Sequence, residues 1–303
     1  MSILVVGSVA FDGIQTPSGK VDRVLGGAAT YFSLSASFFT DVRVVAVVGD
    51  DFSAEDEAVL VRRGVDVSGI ERVPGKSFFW QGEYGENLNE AKTLRTDLNV
   101  FERFNPKVPK QYLDSDFVFL ANIHPTLQKH VHDQVPQALL TGLDTMNYWI
   151  NSTPKELAET LKGVDALLIN DTEARILSKQ NSLPRAAQKI LTMGPKVLVI
   201  KHGEYGATAF FREGGLHPFR APALPMEEVV DPTGAGDSFA GGFMGYLASQ
   251  PELNREVFKR AMFYGGVMGS FACEKFGTGR LQELTRGEID ARFQLFRELS
   301  HLE

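Results

Sequence analysis

The run Asp231-Pro232-Thr233-Gly234-Ala235-Gly236-Asp237-Ser238-Phe239-Ala240-Gly241-Gly242 carries residue types suited to chemistry on an anion. A loop of small residues leads directly into an apolar helix. Gly234, Ala235 and Gly236 let backbone N–H groups face outward with little side-chain obstruction. The first N–H groups of a helix have no partners inside it, and the helix dipole adds partial positive charge there. The combination suits a phosphate. An acidic residue inside such a site opposes the ligand's charge and therefore needs another use. Asp237 is well placed to take a proton from an attacking hydroxyl as a general base. The competing reading is an Asp that caps a helix after a glycine turn. These residues alone leave the two readings balanced and name no reaction.

Such a loop needs a scaffold, and the chain alternates short apolar runs with amphipathic stretches. Candidate strands are Ile3–Val6, Val42–Val48, Phe117–Leu120, Leu139–Leu143, Ala166–Ile169 and Val197–Ile200. Near-continuous Val/Ile/Leu/Phe runs of this kind are expected of parallel strands covered on both faces. Thr153-Pro154-Lys155-Glu156 reads as a helix start, with a Thr cap, Pro at the first position and Glu at the third. Ser53–Arg63 begins with a weaker form of that signal, and Ala29–Phe39 reads as a helix after Gly26-Gly27. The last third is mainly helical, over Gly236–Ser249, Asn254–Cys273 and Thr285–Leu299. Alternation of this kind predicts a doubly wound α/β fold.

Two excursions break the alternation, Asp12–Leu25 and Lys76–Phe104, the second containing Phe78, Phe79, Trp80 and Tyr84. Both read as extended segments that pair outside the main sheet, a small β-layer suited to covering a site. A third, Tyr205–Phe211 to Leu216–Phe219, resembles a hairpin around Glu213-Gly214-Gly215.

Composition narrows the function. With 38 acidic against 31 basic residues in 303, the net charge of −7 argues against a general nucleic-acid binder. One cysteine, Cys273, makes neither an internal disulfide nor a Cys-based zinc site, which points to a reducing compartment. His124, His130 and His132 lie close in sequence without an accompanying ligand set. The start Met1-Ser2-Ile3-Leu4-Val5-Val6-Gly7 reads as a buried strand rather than a signal peptide, and no apolar run approaches the ~20 residues of a membrane helix. The expectation is a cytoplasmic protein.

The 231–237 segment resembles the C-terminal signature of the ribokinase-like (PfkB) carbohydrate kinases. Further segments follow that family's order over nearly the whole chain. Gly7-Ser8-Val9-Ala10-Phe11-Asp12 resembles its opening strand and acidic substrate residue, and Gly26-Gly27 its di-glycine. Val47-Val48-Gly49-Asp50-Asp51-Phe52 is similar to its strand-end Gly-Asp-Asp. Leu143-Asp144-Thr145-Met146-Asn147-Tyr148-Trp149 is an imperfect match to its Asp-x-Asn-x-Arg segment. Asn170-Asp171-Thr172-Glu173 matches Asn-x-x-Glu, and Lys201-His202-Gly203-Glu204-Tyr205-Gly206 resembles the Gly-x-x-Gly nucleotide loop.

The resemblance implies one ribokinase-like domain over 1–303, a three-layer α/β/α fold with a mostly parallel sheet and a β-lid from about 12–25 and 76–104. It implies an ATP- and Mg²⁺-dependent kinase acting on a hydroxyl, usually a hydroxymethyl, of a sugar or nucleoside. Asp237 would be the base, and the amides of Gly234, Ala235 and Gly236 would stabilise the transferring phosphoryl group. Asp12, Gly26 and Gly27 would hold the acceptor. Asn170 and Glu173 would act on the metal–phosphate complex through water, with Lys201, Gly203 and Gly206 at the nucleotide. Some members use a monovalent cation such as K⁺, and Asp231 and Thr233 fit that role by position. An exposed lid face could serve as a homodimer surface, as in parts of the family. Ala28-Ala29 and Tyr148 depart from the pattern and put ordinary ribose or fructose recognition in doubt. A nucleoside kinase and a non-catalytic sugar- or nucleotide-binding regulator are the alternatives.

Overall fold

The computed structural model describes residues 1–213 and 218–300. Thirteen strands are formed among them: β1 Ser2–Val6, β2 Ala10–Thr16, β3 Gly19–Gly26, β4 Asp41–Val48, β5 Asp66–Arg72, β6 Phe78–Tyr84, β7 Ala91–Asp97, β8 Phe117–Leu120, β9 Leu140–Asp144, β10 Ala166–Asn170, β11 Val197–Lys201, β12 Ala207–Phe211 and β13 Phe219–Ala221. Nine of them make one sheet in the order β13-β12-β11-β10-β9-β8-β1-β4-β5. From β5 to β11 all pairings are parallel, and β12 and β13 add an antiparallel edge.

The apolar runs are explained by burial on both faces. Along β1, Ile3 and Val5 join one core while Leu4 and Val6 join the other. The first core is closed by the helices Ala28–Ala36, Ala235–Ala248 and Arg255–Ala272, through residues such as Phe32, Phe243 and Phe271. The second is closed by Pro125–Gln134, Pro154–Leu161 and Leu183–Leu191, through Val131, Leu157 and Ile190. The result is three layers, helix–sheet–helix. Phe32 stacks on Phe119 of β8 with ring centroids 4.3 Å apart, a pairing that contributes about 0.5–1.5 kcal/mol beyond its area.

The two excursions pair with each other in a separate four-stranded sheet, order β3-β2-β6-β7. Its middle pair, β2 and β6, is parallel and places Asp12 opposite Trp80.

The structure corrects several local readings. The Thr153 hydroxyl accepts no cap bond from the helix that follows; it instead donates back to the Trp149 carbonyl at 3.1 Å, closing a preceding short helix. Leu139 stands outside β9 and is 64% exposed. Edge strand β5 was not anticipated, because Asp66-Val67-Ser68-Gly69 lacks an apolar run. The turn proposed at Glu213-Gly214-Gly215 falls largely outside the described residues. No helix among the described residues is long and apolar enough to cross a membrane.

Candidate active site

The carboxyl ends of the parallel strands point to one side, the side where open α/β sheets bind ligands. Three adjacent strands end there on polar residues, β9 on Asp144, β10 on Asn170 and β11 on Lys201.

The loop before the Ala235–Ala248 helix arrives at the same side. Gly234 is its N-cap with φ +74°, and a side chain there would sit 2.4 Å from the Tyr31 ring. Only glycine takes this conformation and this closeness without strain. The Ala235 N–H donates to the Pro232 carbonyl at 3.2 Å, so that one of the three anticipated amides is used in the turn itself. The Gly234 and Gly236 N–H groups make no hydrogen bond among the described residues. Asp237 follows in the first helical turn, half-buried. Burial and the neighbouring Asp144 charge raise its pKa to about 7, against the opposing pull of Lys201. A carboxylate poised there suits proton transfer at neutral pH.

Lys201 is not the solvated strand-end lysine that is the common case. Its Nζ lies 3.2 Å from Asp144 Oδ2, with side chains 17% and 8% exposed. Burial opposes the lysine's charge, but Asp144, Glu173 and Asp237 outweigh it and its pKa is raised. A Cβ on Gly236 would lie 3.2 Å from Nζ, so the cation sits beside the free amides. Sequence reading missed this pair; an Asp at a strand's carboxyl end was the available signal.

Asn170 and Glu173 form a reciprocal capping box: the Asn170 side chain accepts the Glu173 N–H at 2.8 Å, and Glu173 Oε2 accepts the Asn170 N–H at 2.7 Å. Glu173 is buried, and burial with the nearby Asp144 charge raises its pKa to about 7. Its Oε1 makes no hydrogen bond among the described residues. Asn170→Ala should cost about 1 kcal/mol of stability through the lost cap, read from the denaturant midpoint.

Asp12 and the di-glycine touch. A Cβ at Gly26 would fall 1.9 Å from Asp12 Oδ2, and the Gly27 backbone pulls the Asp12 pKa downward. Gly27 has φ +94° and lies against the Ser8 carbonyl. Asp12 is buried, and burial together with Asp231 and Asp237 raises its pKa to about 7. The same face of the second sheet reaches the signature loop, where Thr16 Oγ1 donates to the Val230 carbonyl at 2.8 Å and Thr233 Oγ1 to the Tyr84 hydroxyl at 3.2 Å.

Asp231 is fully buried, and its two oxygens accept the Thr233 and Gly277 N–H groups at 2.8 Å each, tying the loop to the chain beyond the Arg255–Ala272 helix. Gly203 and Gly206 have φ +57° and +91°. A Cβ on the first would meet Asn89 Oδ1 at 1.8 Å, and on the second the Ala221 carbonyl at 2.1 Å. The 203–206 turn thus abuts the β6–β7 hairpin. Two unpaired amides, a part-buried cation beside them and an unpartnered Glu173 oxygen are a donor set that fits a nucleotide phosphate chain with a hydrated divalent ion.

Comparison with known proteins identifies the family. Residues 2–284 match the pfkB family carbohydrate kinase. A cytidine kinase of Thermococcus kodakarensis is 30% identical over 282 residues, covering 86% of this chain and 97% of the relative. A nucleoside kinase of Burkholderia thailandensis, solved in complex with inosine, shares the fold with a TM-score of 0.78 at 21% identity, over 97% of this chain and 98% of that one. The nucleoside kinase of Methanocaldococcus jannaschii, a member of the ribokinase family, does so with a TM-score of 0.77 at 18% identity, over 97% and 98%. A match that spans nearly all of the chain, on a shared fold, means that the chain belongs to the pfkB family of carbohydrate kinases and is a phosphotransferase acting on a hydroxyl of a sugar or nucleoside.

Proposed function

We propose that the chain transfers the γ-phosphate of ATP to a hydroxymethyl group of a nucleoside, with Asp237 as general base. The observation that supports a nucleoside over a free sugar is the pairing of Asp12 with Trp80 in register on β2 and β6. The Trp80 indole spreads over Gly82, where a Cβ would lie 2.1 Å from the ring. A carboxylate that accepts sugar hydroxyls thus stands beside an aromatic face suited to a base. The cytidine kinase relative points the same way.

ATP with Mg²⁺ supplies the phosphoryl group and much of the neutralising charge. The Gly234 and Gly236 amides and Lys201 would hold the phosphoryl end, Asn170 and Glu173 the hydrated metal, and Gly203 and Gly206 the nucleotide. Asp237 takes the proton of the attacking hydroxyl. Asp12 orients the acceptor, with Gly26 and Gly27 against its carboxylate. The second sheet acts as a lid that keeps water from competing as acceptor. Asp231 and Thr233 fall to a K⁺ site in this reading, and a cytoplasmic location fits the need for ATP.

An ATP-consumption screen of nucleosides against free sugars, with Mg²⁺ and with or without K⁺, tests the proposal. Turnover of at least one nucleoside is expected, with Trp80→Ala raising its KM about tenfold, in line with 1–3 kcal/mol for an aromatic–base contact. Turnover of free sugars alone would sink the nucleoside assignment.

A further inference from the structure

We propose that Asp144 is a positioning residue that holds Lys201 Nζ at the start of the Ala235–Ala248 helix, keeping the lysine's charge on the phosphoryl site instead of on the base Asp237. The inference rests on the reading of the 234–237 loop as the transfer site.

The geometry is specific. Asp144 and Lys201 end β9 and β11, with β10 between them. Neighbouring strands lie about 4.8 Å apart, so the lysine must cross two strand spacings to reach its partner. The strand between ends on Asn170, whose side chain is engaged in the capping box with Glu173. Asp144 is itself held, because its Oδ1 accepts the Thr145 N–H at 2.7 Å while Oδ2 takes the lysine. A Cβ at position 236 would press on Nζ at 3.2 Å, so glycine there leaves the lysine its place beside the helix start.

The charges facing this point are Asp144 on β9, Lys201 on β11, Glu173 on the Asp171–Ser178 helix and Asp237 on the Ala235–Ala248 helix. Asp12 on β2 faces Asp237 from the second sheet, and the buried Tyr31 hydroxyl, without a hydrogen-bond partner, feels both. One cation among these carboxylates would collapse onto Asp237 and neutralise the base if nothing held it elsewhere. An anchored, part-buried ion pair prevents this, and removing one partner leaves a charge without its counterion.

Lys201→Met and Asp144→Asn test the proposal through the pH profile of kcat/KM. The two halves of one ion pair should move the acidic limb in opposite directions. Loss of the cation in Lys201→Met makes Asp237 harder to ionise and moves the limb to higher pH, with kcat down about 10²-fold. Loss of the anion in Asp144→Asn moves it to lower pH, with the KM for ATP up severalfold, and Asp144→Glu should recover part of that loss. The double variant, neutral at both positions, folds without an orphaned charge and should match Lys201→Met in KM for ATP, since Asp144 would act only through the lysine. Limbs that shift the same way, an unshifted limb in either single variant, or additive losses in the double variant would overturn the proposal. Retention of full turnover by Asp237→Asn would instead remove the underlying site assignment, a separate outcome.

Discussion

Asp237→Asn is expected to lower kcat by about 10³-fold, within the range that a positioned proton acceptor supplies. The asparagine keeps the side chain's size but gives up both its charge and its capacity to take a proton. In the parent enzyme kcat/KM should rise with pH through a limb near 7, because burial and Asp144 hold Asp237 protonated below that point. The same shift has a consequence for stability. The folded chain retains a proton that the unfolded chain releases near pH 4. Between about pH 4 and 7 the unfolded state therefore binds fewer protons, and this group's contribution to stability falls as pH rises. Asp237→Asn removes that penalty. The variant should melt at a higher temperature than the parent at pH 8, and the gap should close towards pH 4. Loss of turnover with a gain in stability is the pattern of a strained functional group. A variant that keeps full turnover would rule out Asp237 as the base.

The second large effect is expected from Gly26→Ala. The added methyl would stand 1.9 Å from Asp12 Oδ2 and 2.5 Å from its Cγ, so the carboxylate must leave its place. The Gly26 backbone lies outside the left-handed region, so alanine is tolerated there. The clash falls on the end of a side chain, which can rotate. Folding should survive and acceptor binding should not. Steady-state kinetics with each substrate varied should show acceptor kcat/KM reduced about 10²-fold, equivalent to ~2.7 kcal/mol, with the KM for ATP little changed. An unchanged acceptor KM would remove Asp12 from the acceptor site. Gly27→Ala is a different experiment: φ is +94° and the methyl would meet the Ser8 backbone carbonyl at 2.5 Å, so its main effect should be on stability.

Much of the fold is legible in the order of residues. The runs at 3–6, 117–120, 166–169 and 197–200 form strands within a residue of their expected ends, because buried parallel strands need apolar residues on both faces. Asn-x-x-Glu at 170–173 spells a capping box, and the box forms. Ser53 with Asp56 forms one too. Thr153 carries the same kind of signal, and there the preceding helix competes successfully for its hydroxyl.

The sequence by itself determined these short-range features: which segments are strands, where several helices start, and that a glycine loop leads into the helix bearing Asp237. Each depends on contacts within a few residues or on burial of a local run. Tertiary structure alone decided which charges meet. Asp144 and Lys201 are 57 residues apart and pair because β9 and β11 flank β10. Tyr84 and Thr233 are 149 apart and meet because the second sheet reaches the signature loop. Gly26 is required by the carboxylate of Asp12 on the adjoining strand. Side-chain chemistry acts over a few ångströms, and only the strand order and the placement of the second sheet bring distant positions within that range.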